Sequence, residues 1–305
     1  MRIAHISDLH LSSMHRKKRN YLKVKKIIEL ALENGAQHFV FTGDISDNSD
    51  EKDFKLFRNL LIKYNLLSSE KSSIVIGNHD IFGGPQTAQE VLSFPKKCME
   101  MDYNQKIISF INHFRELFEN TIRMHDELFF PYVKEIKNFL IVGFNSIDQY
   151  SRLKNPFASN GHIPKDHRKF VKMILSKGNF KNKTKIVLVH HHFYPKNISS
   201  HSSENTLWNR IENYTMKLRG KKKLLKLFTE KEVKIVFHGH SHEVREYSRE
   251  NMAFVNAGGS IDNDKPTAEL ILADVTYMHT SIKIIEVDFQ RISAKKESEV
   301  PLLVA

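Results

Sequence analysis

Five short clusters of metal-binding residue types lie along the sequence, each directly after an apolar run of strand type. Asp, Asn and His side chains offer oxygen and nitrogen atoms that suit Mn, Fe, Zn or Mg rather than soft metals. Ligand sites form where loops from the carboxyl ends of separate strands converge, so these clusters are expected to meet. One such cluster is weak support for a metal site, but five in order predict a metal centre. The clusters are Asp8-Leu9-His10, Gly43-Asp44, Gly77-Asn78-His79-Asp80, His190 and Gly239-His240-Ser241-His242.

The elements that must position these clusters alternate between strand and helix patterns. Continuous apolar strands bounded by helices are typical of a sheet covered on both faces, so the sequence predicts an α/β fold. Strands are predicted at residues 2–7, 38–42, 73–76, 139–144, 185–189 and 233–237, and helices at 21–34, 53–64, 164–176 and 221–232.

The carboxyl-terminal part departs from this alternation. Strand patterns at 253–256, 268–275 and 281–288 follow one another with little helix between them. This arrangement predicts an added β-meander within one domain over residues 1–290. The polar residues 291–305 are predicted to be a flexible tail.

Two inserted segments, 85–128 and 195–219, interrupt the rhythm of strands and helices. The first contains a predicted helix at 104–120 with an apolar face, and the second holds the single tryptophan, Trp208. Long excursions from an α/β core often form lids or substrate walls. For the apolar helix face, packing against the core is the more ordinary expectation.

Composition narrows the classes of protein and partner. The 305 residues include 40% hydrophobic and 27% charged residues, which fits a soluble globular chain rather than a disordered one. No apolar run is long enough to span a bilayer, and no signal peptide is recognised, which predicts a cytoplasmic protein. Cys98 is the single cysteine, so an internal disulfide is excluded. The net charge of +12 suits phosphate-bearing partners, including small substrates, anionic membrane lipids and nucleic acid, although a solvated basic face explains it equally.

The five clusters together resemble the ordered motifs of the calcineurin-like metallophosphoesterase superfamily. Those motifs are D-x-H, G-D, G-N-H-D/E, a histidine after an apolar strand, and G-H-x-H, and here they span Asp8 to His242. The resemblance implies a four-layer α/β/β/α sandwich with a dimetal site at the carboxyl ends of the strands. It also implies two divalent metal ions, with Mn²⁺ preferred over Fe, Zn or Mg.

The resemblance further implies a role for each residue of the site. A hydroxide that bridges the two ions is expected to attack phosphorus in line. His79 is expected to stabilise the transition state or protonate the leaving oxygen, and Asp80 to orient His79. Seven side chains are expected to bind the ions: Asp8, His10 and His242 the first, Asn78, His190 and His240 the second, and Asp44 both.

Several neighbouring residues leave alternatives open. His190 is the first histidine after its strand, but His191 or His192 could take its place if the register differs. His5 and His238 lie on strands and are interpreted as structural. The turn at residues 256–260 either shapes the floor of the site or is a plain hairpin turn.

Four functions are compatible with the sequence. A phosphodiesterase that resembles the bacterial cyclic-nucleotide branch of the superfamily ranks first, on the Gly-Asn-His-Asp motif and the paired His190 and His191. A lipid-linked pyrophosphatase of the UDP-2,3-diacylglucosamine type ranks second, because the apolar helix and basic clusters could lie on an anionic membrane at its inner surface. A DNA-directed nuclease would suit the positive charge, but no partner coiled coil is present. A non-catalytic binding scaffold ranks last, because no ligand of the motifs is missing.

Overall fold

The computed structural model describes residues 1–12, 18–85, 88–194, 216–261 and 266–289. In these ranges the first sheet has the order β14-β13-β1-β2-β3. Strands β1, β2 and β3 are parallel, so their carboxyl ends share one edge, while β13 is antiparallel to β1. The strands are β1 (Arg2–Ile6), β2 (His38–Phe41), β3 (Ser72–Ile74), β13 (Thr267–Val275) and β14 (Thr280–Asp288).

The second sheet has the order β11-β12-β10-β8-β6-β5-β4. Its central strands β6, β8, β10 and β12 are parallel, and the outer pairs are antiparallel. A further two-stranded pair joins β7 (Gly161–His162) to β9 (Leu218–Arg219). The strands of the second sheet are β4 (Thr121–Arg123), β5 (Tyr132–Ile136), β6 (Phe139–Gly143), β8 (Thr184–Leu188), β10 (Val233–His238), β11 (Val244–Arg249) and β12 (Met252–Ala257).

Helices cover the outer faces of both sheets. On the first side, α1 packs against β13, and α2 packs against α5. On the second side, α6 contacts both α7 and β5. The helices are α1 (Lys18–Glu33), α2 (Glu51–Lys63), α3 (Asn78–Phe82), α4 (Ala88–Glu100), α5 (Tyr103–His113), α6 (Lys165–Leu175) and α7 (Lys221–Glu230).

The alternation of side chains along β8 shows how the layers are joined. Ile186 and Leu188 are buried in the cluster shared with the first sheet, whereas Val187 lies in the cluster formed with α6 and α7. Successive side chains of a strand point to opposite faces, so the second sheet is buried on both sides. The result is a helix, sheet, sheet, helix sandwich, and the predicted four-layer α/β fold is confirmed.

Polar side chains also connect the two sheets across this core. The Tyr132 hydroxyl donates to the Ile74 carbonyl at 2.9 Å, and the Lys134 ammonium donates to the Ser72 carbonyl at 2.7 Å. Both donors belong to β5 and both acceptors to β3. These bonds satisfy backbone carbonyls at the end of a short buried strand.

The structure corrects two predictions for the inserted and terminal segments. The predicted helix at 104–120 is shorter: α5 ends at His113 and a 3₁₀ turn follows at Arg115–Phe118. Its apolar face is buried, as ordinary core packing requires. The single terminal β-meander is wrong, because β12 belongs to the second sheet and β13 to the first. Residues 195–215, including Trp208, and the predicted tail lie outside the described residues.

Among the described helices, none has the length and apolarity that crossing a bilayer demands.

Candidate metal centre

All seven predicted ligands converge at the edge where the parallel strands of both sheets end. The first sheet supplies the donors that follow β1, β2 and β3, and the second sheet supplies those that follow β8 and β10. Six of the side chains are buried, and His242 is exposed. The seven residues are Asp8, His10, Asp44, Asn78, His190, His240 and His242.

One half of the site is built around the Nε2 atom of His190. This nitrogen lies 3.0 Å from Oδ1 of Asn78, 3.1 Å from Nδ1 of His240 and 3.3 Å from Oδ2 of Asp44. The other ring nitrogen, Nδ1, is 2.8 Å from the Thr42 carbonyl, which can only accept a hydrogen bond. The Nδ1 proton is therefore fixed there, and Nε2 of the neutral ring presents a lone pair to the site.

The other half of the site contains Asp8, His10 and His242. One donor atom from each of these residues lies within 4.8 Å of the others. The rings of His10 and His242 stack, with centroids 5.1 Å apart. The Asp8 carboxylate also accepts the backbone N–H of His240 at 3.0 Å and 3.1 Å, which connects the loop after β1 to the loop after β10.

Asp44 lies between the two halves. Its Oδ2 atom is 3.3 Å from Nε2 of His190 and 3.8 Å from Nε2 of His10. Its Oδ1 atom accepts the backbone N–H of His79 at 2.8 Å, which fixes the orientation of the carboxylate. One oxygen that faces both clusters is the arrangement a bridging carboxylate requires.

The donor set fits two hard divalent cations. Ligands bonded to an ion at about 2.0–2.2 Å lie roughly 3 Å apart when they are adjacent, which is close to the spacing around His190. When His190 is neutral, as metal binding requires, the acceptor atoms of Asn78, Asp44 and His190 face one another here, and a cation relieves this arrangement. The buried Nε2 atom of His240 also has no hydrogen-bond partner among the described residues.

The electrostatics of the buried groups favour positive charge at this position. Burial disfavours protonated His190, but the negative charge of Asp44 outweighs this and raises the pKa of His190 to about 9. Burial would raise the pKa of Asp44, but His190 and the other histidines hold it well below its usual range. A bound cation replaces the proton in this balance, because metal binding requires the neutral imidazole.

Five of the donor residues have a left-handed backbone conformation, which directs their side chains into the site. These residues adopt left-handed backbone, which costs non-glycine residues about 1–3 kcal/mol each and persists only where the surroundings impose it. One contact that holds this conformation is the hydrogen bond from the backbone N–H of His10 to the Asp44 carbonyl, at 2.9 Å. The φ values are 53° at Asp8, 42° at His10, 53° at Asp44, 74° at His240 and 48° at His242.

Two glycines of the motifs are required by close approach. A Cβ atom at Gly77 would lie 2.1 Å from Oδ1 of Asp44, and one at Gly239 would lie 2.1 Å from Oδ2 of Asp8. These distances exclude any side chain, so each glycine lets one loop reach the carboxylate of another.

The structure brings His79 to the site but separates it from Asp80. The His79 ring lies edge-on to His10, with centroids 4.5 Å apart, and its Nδ1 is 2.9 Å from the Asp47 carbonyl. The Asp80 carboxylate instead accepts the backbone N–H groups of Ser46 and Gly77, both at 2.9 Å. The expectation that Asp80 orients the His79 ring is therefore wrong: Asp80 joins the loops, and Asp47 contacts the ring.

Asp47 is the site residue that the sequence analysis missed. Its Oδ1 atom lies 3.3 Å from Nδ1 of His10 and 3.8 Å from Nδ1 of His79. The three side chains also form a group close enough to share an ion. The available signal was a second aspartate three residues after Asp44, in the same loop after β2.

The remaining histidines of the sequence analysis are held by other contacts. His191 Nδ1 is 2.8 Å from the Ser146 hydroxyl, and its Nε2 is 3.1 Å from the Ser159 carbonyl, so it is His190 whose ring faces the donor cluster. His5 bonds the Thr42 hydroxyl at 2.9 Å, and His238 bonds the Tyr247 hydroxyl at 2.8 Å. Both side chains are buried within the fold, as a structural role requires.

The turn after β12 lies directly against the loop of His242. A Cβ atom at Gly259 would lie 2.2 Å from the His242 carbonyl oxygen. Asn256 donates to the hydroxyls of Tyr194 and Ser241, and its side-chain oxygen accepts the N–H of Gly258. The turn therefore supports the loop that carries the last two donors.

Solved structures with the same fold include two phosphatases and a nucleotidase. A dimetal phosphatase from Danio rerio matches with a TM-score of 0.58 and 11% identity, over 95% of this chain and 99% of that one. A purple acid phosphatase from yellow lupin, Lupinus luteus, matches with a TM-score of 0.55 and 11% identity, over 95% and 52%. The NAD nucleotidase of Haemophilus influenzae matches with a TM-score of 0.50 and 12% identity, over 94% and 56%. At these identities the likeness establishes the fold.

No curated protein matches the sequence. The sequence pattern described as calcineurin-like phosphoesterase, however, matches residues 1–244, which contain every donor of the site. With the His and Asp clusters at the strand ends, this match establishes a dinuclear divalent metal site. The chain belongs to the calcineurin-like phosphoesterase family and is a metal-dependent hydrolase of phosphoric esters.

Proposed function

We propose that the chain is a phosphodiesterase that uses Mn²⁺. The observation that carries the proposal is the composition of the described segments that follow the five strands at the metal centre, residues 8–12, 43–49, 77–84, 190–194 and 239–243. They contain neither Lys nor Arg, although the chain has 47 such residues. A phosphomonoester dianion is usually bound with help from Lys or Arg side chains, whereas a diester carries one negative charge. Two metal cations, without Lys or Arg side chains, are sufficient to balance the single negative charge of a diester.

The protein residues have separate tasks in this proposal. Asp8, His10 and His242 would hold one ion, and Asn78, His190 and His240 the other, with Asp44 shared. When bound, two divalent cations supply Lewis-acid activation of water and neutralise charge on the phosphate oxygens. Thr42 and the backbone N–H of His79 orient His190 and Asp44 through the hydrogen bonds described above.

His79 is proposed as the proton donor to the leaving oxygen. Proton donation requires the imidazolium form, which the negative charges of Asp44 and Asp47 favour although burial lowers the pKa of His79. In that form the Asp47 carbonyl accepts the Nδ1 proton, so Nε2–H is left to face a substrate. The side chain is 23% exposed, in contrast to the nearly inaccessible side chains of His10 and His190, so substrate can reach it. Asp47 acts through the ring as a positioning residue.

The test compares bis(p-nitrophenyl) phosphate with p-nitrophenyl phosphate, using enzyme stripped of metal and then supplied with Mn²⁺. We expect the diester to be cleaved only after Mn²⁺ is added, and to be preferred in kcat/KM. Preference for the monoester would replace the proposal by a phosphatase.

A lipid-linked pyrophosphatase is the second candidate. The apolar face of α5 is buried and does not support it, but α4 exposes Leu92 and Met99, which are 86% and 51% accessible and share a helix face by their spacing of seven. This face would lie on an anionic membrane. Turnover of UDP-2,3-diacylglucosamine by a chain that cleaves neither nitrophenyl ester would favour this candidate.

A further inference from the structure

A cavity lined by charged and polar residues lies near the metal centre and takes no part in the site described above. Its volume is about 580 Å³. It is lined by the segment after β6, by the first turn of α6 and by the junction between β9 and α7. The charged or titratable groups around it are Asp148, Tyr150, Lys154, His162, Arg168, Arg219 and Lys223.

The cavity carries an excess of positive charge. Four of its lining side chains are Lys or Arg, and the single carboxylate, Asp148, is already paired with Arg219. The Nε atom of Arg219 is buried and has no hydrogen-bond partner among the described residues. Burial, reinforced by the positive charge of Arg168, lowers the pKa of His162. An anion in the cavity would offset this charge.

Helix geometry adds to the positive potential. Gly220, which precedes α7, lines the cavity, and the amino end of α7 has no side-chain cap. The amino end of α6, after Pro164, also lacks a side-chain cap. Arg168 and Lys223 lie in the first turns of these helices, where the helix dipole disfavours cations. Two positively charged side chains therefore lie at the uncapped amino ends of two helices around one cavity. A bound anion would stabilise this arrangement.

Short contacts connect the cavity to the metal centre. The backbone N–H of His162 donates to the Ser146 carbonyl at 2.9 Å, and the Ser146 hydroxyl lies 2.8 Å from Nδ1 of His191. The His191 ring then packs on the His240 ring, with centroids 4.4 Å apart. Only Ser146 and His191 therefore separate this wall of the cavity from a predicted metal ligand.

We propose that this cavity binds a second phosphate group of the substrate, while the diester bond of the same molecule is cleaved at the metal centre. The proposal rests on the proposed diesterase function. It divides the charge of the substrate between two places: the diester monoanion meets the cations of the metal centre, and the second phosphate meets Arg168, Arg219 and Lys223. The substrate class is thus a phosphodiester that carries an additional phosphate.

The first arm of the test measures binding without catalysis. Inorganic pyrophosphate is titrated calorimetrically into the full-length, metal-stripped protein, where the buried carboxylates of the empty centre repel anions. Wild type is expected to bind one pyrophosphate, and the double variant Arg168→Gln/Lys223→Gln at least about tenfold more weakly. The matched control is Lys169→Gln/Lys226→Gln, which removes the same charge from exposed positions on the same two helices. Lys223→Gln alone serves if the double variant does not fold.

Absence of pyrophosphate binding to wild type would overturn the anion site. Equal weakening in the pocket variant and the control would also overturn it, because a general loss of charge would then explain the effect.

The second arm measures substrate preference. Thymidine 5′-(p-nitrophenyl phosphate) is compared with the same compound carrying a 3′-phosphate, in the presence of Mn²⁺. Wild type and the control are expected to prefer the 3′-phosphorylated diester at least about tenfold in kcat/KM, and the pocket variant is expected to lose most of this ratio. Pyrophosphate binding without any such preference would overturn the substrate role and indicate a site for a free phosphate compound. Absence of diester cleavage would refute the proposed function, whereas the metal-free titration would still decide whether the cavity binds anions.

Discussion

At the scale of single residues, Asp44 is the point at which the two halves of the metal centre meet. One of its oxygens faces His10 and His190, and the other is held by the backbone N–H of His79. Removing this carboxylate therefore affects both halves at once, unlike the loss of a donor that serves one ion.

Asp44→Ala is expected to abolish bound metal and activity together. Metal content is measured by inductively coupled plasma mass spectrometry after dialysis, and activity with bis(p-nitrophenyl) phosphate. Asp126→Ala, at an exposed surface position, is the control that should retain both. Full activity with two ions retained in Asp44→Ala would refute the bridging role.

His79→Gln should keep both ions and yet lose activity. A general acid contributes about 10²–10⁴-fold to the rate, so turnover should fall by that factor. The loss should be greater for a phenyl ester than for a p-nitrophenyl ester, because the poorer leaving group depends more on the proton. Equal losses on the two esters, measured as kcat, would contradict proton donation by His79.

Residue types and spacing in the sequence selected side chains that the structure brings together, but they did not predict the contacts that support those side chains. Asp8 and His242 were recognisable because each belongs to a short motif after a strand. The error over Asp80 has a physical origin, since the carboxylate next to a histidine in sequence points to backbone amides of two loops. Asp47 contacts His79 only because the loop after β2 folds beside the loop after β3. The two residues are far apart in the sequence, so the sequence alone does not indicate this contact.

At the scale of elements, strand β5 contains a buried ionisable side chain, Lys134. Lys134 is 2% exposed and donates to the Ser72 carbonyl of the other sheet. Burial lowers the pKa of Lys134 to about 7. A lysine within the run Tyr132–Ile136 also concealed this strand from the sequence analysis, which requires apolar continuity for an interior strand.

Lys134 should make stability rise with pH above neutrality. The folded pKa is about 7 and the ordinary value is 10.5, so between them the unfolded chain binds the additional proton. The free energy of unfolding should therefore increase from pH 7 to 9, by at most about 1.4 kcal/mol per pH unit from this group. Lys134→Met should lose this rise in urea unfolding, and Lys283→Met, at an exposed site on β14, should keep it. Parallel pH profiles for wild type and Lys134→Met would contradict the shifted pKa.

The prediction of strands and helices succeeded where the local hydrophobic pattern is sufficient. It failed where pairing with a distant strand determines the structure. The runs that became β2 and β8 are mostly apolar, at 39–41 and 186–188, because both strands are covered on two faces. β11 is a partly exposed outer strand of charged residues, and its identity comes from pairing with β12. The sequence of β13 gives no indication that this strand belongs to the first sheet while β12 belongs to the second. The prediction of a single meander therefore could not be avoided from local pattern.

At the scale of the whole molecule, the metal centre joins two sheets that otherwise meet through their buried faces. Asp8 and Asp44 follow strands of the first sheet, whereas His190 and His240 follow strands of the second. Ions bound between them hold the folded arrangement and have no equivalent site in the unfolded chain. Metal binding is therefore linked to global stability.

Mn²⁺ should raise the melting temperature of the metal-stripped protein. At a concentration about 100 times Kd, one bound ion contributes about 2.7 kcal/mol, which corresponds to a rise of roughly 4 °C. Differential scanning calorimetry measures the shift. His279→Gln, at an exposed position, should show the full shift and Asp44→Ala little of it. A rise that persists in Asp44→Ala would place the stabilising ion elsewhere.

The position of β1 between β2 and β13 has a consequence for synthesis on the ribosome. Ala4 pairs with Phe39 on one side, but on the other side it pairs with Leu272, so its two neighbours emerge far apart in time. At about 5–20 residues per second, β1 waits for β13 for roughly 10–60 s. During that interval the nascent chain presents an unpaired strand edge, the kind of surface that recruits unintended partners. The central strand of the first sheet is thus made first but gains its second neighbour only near the end of synthesis.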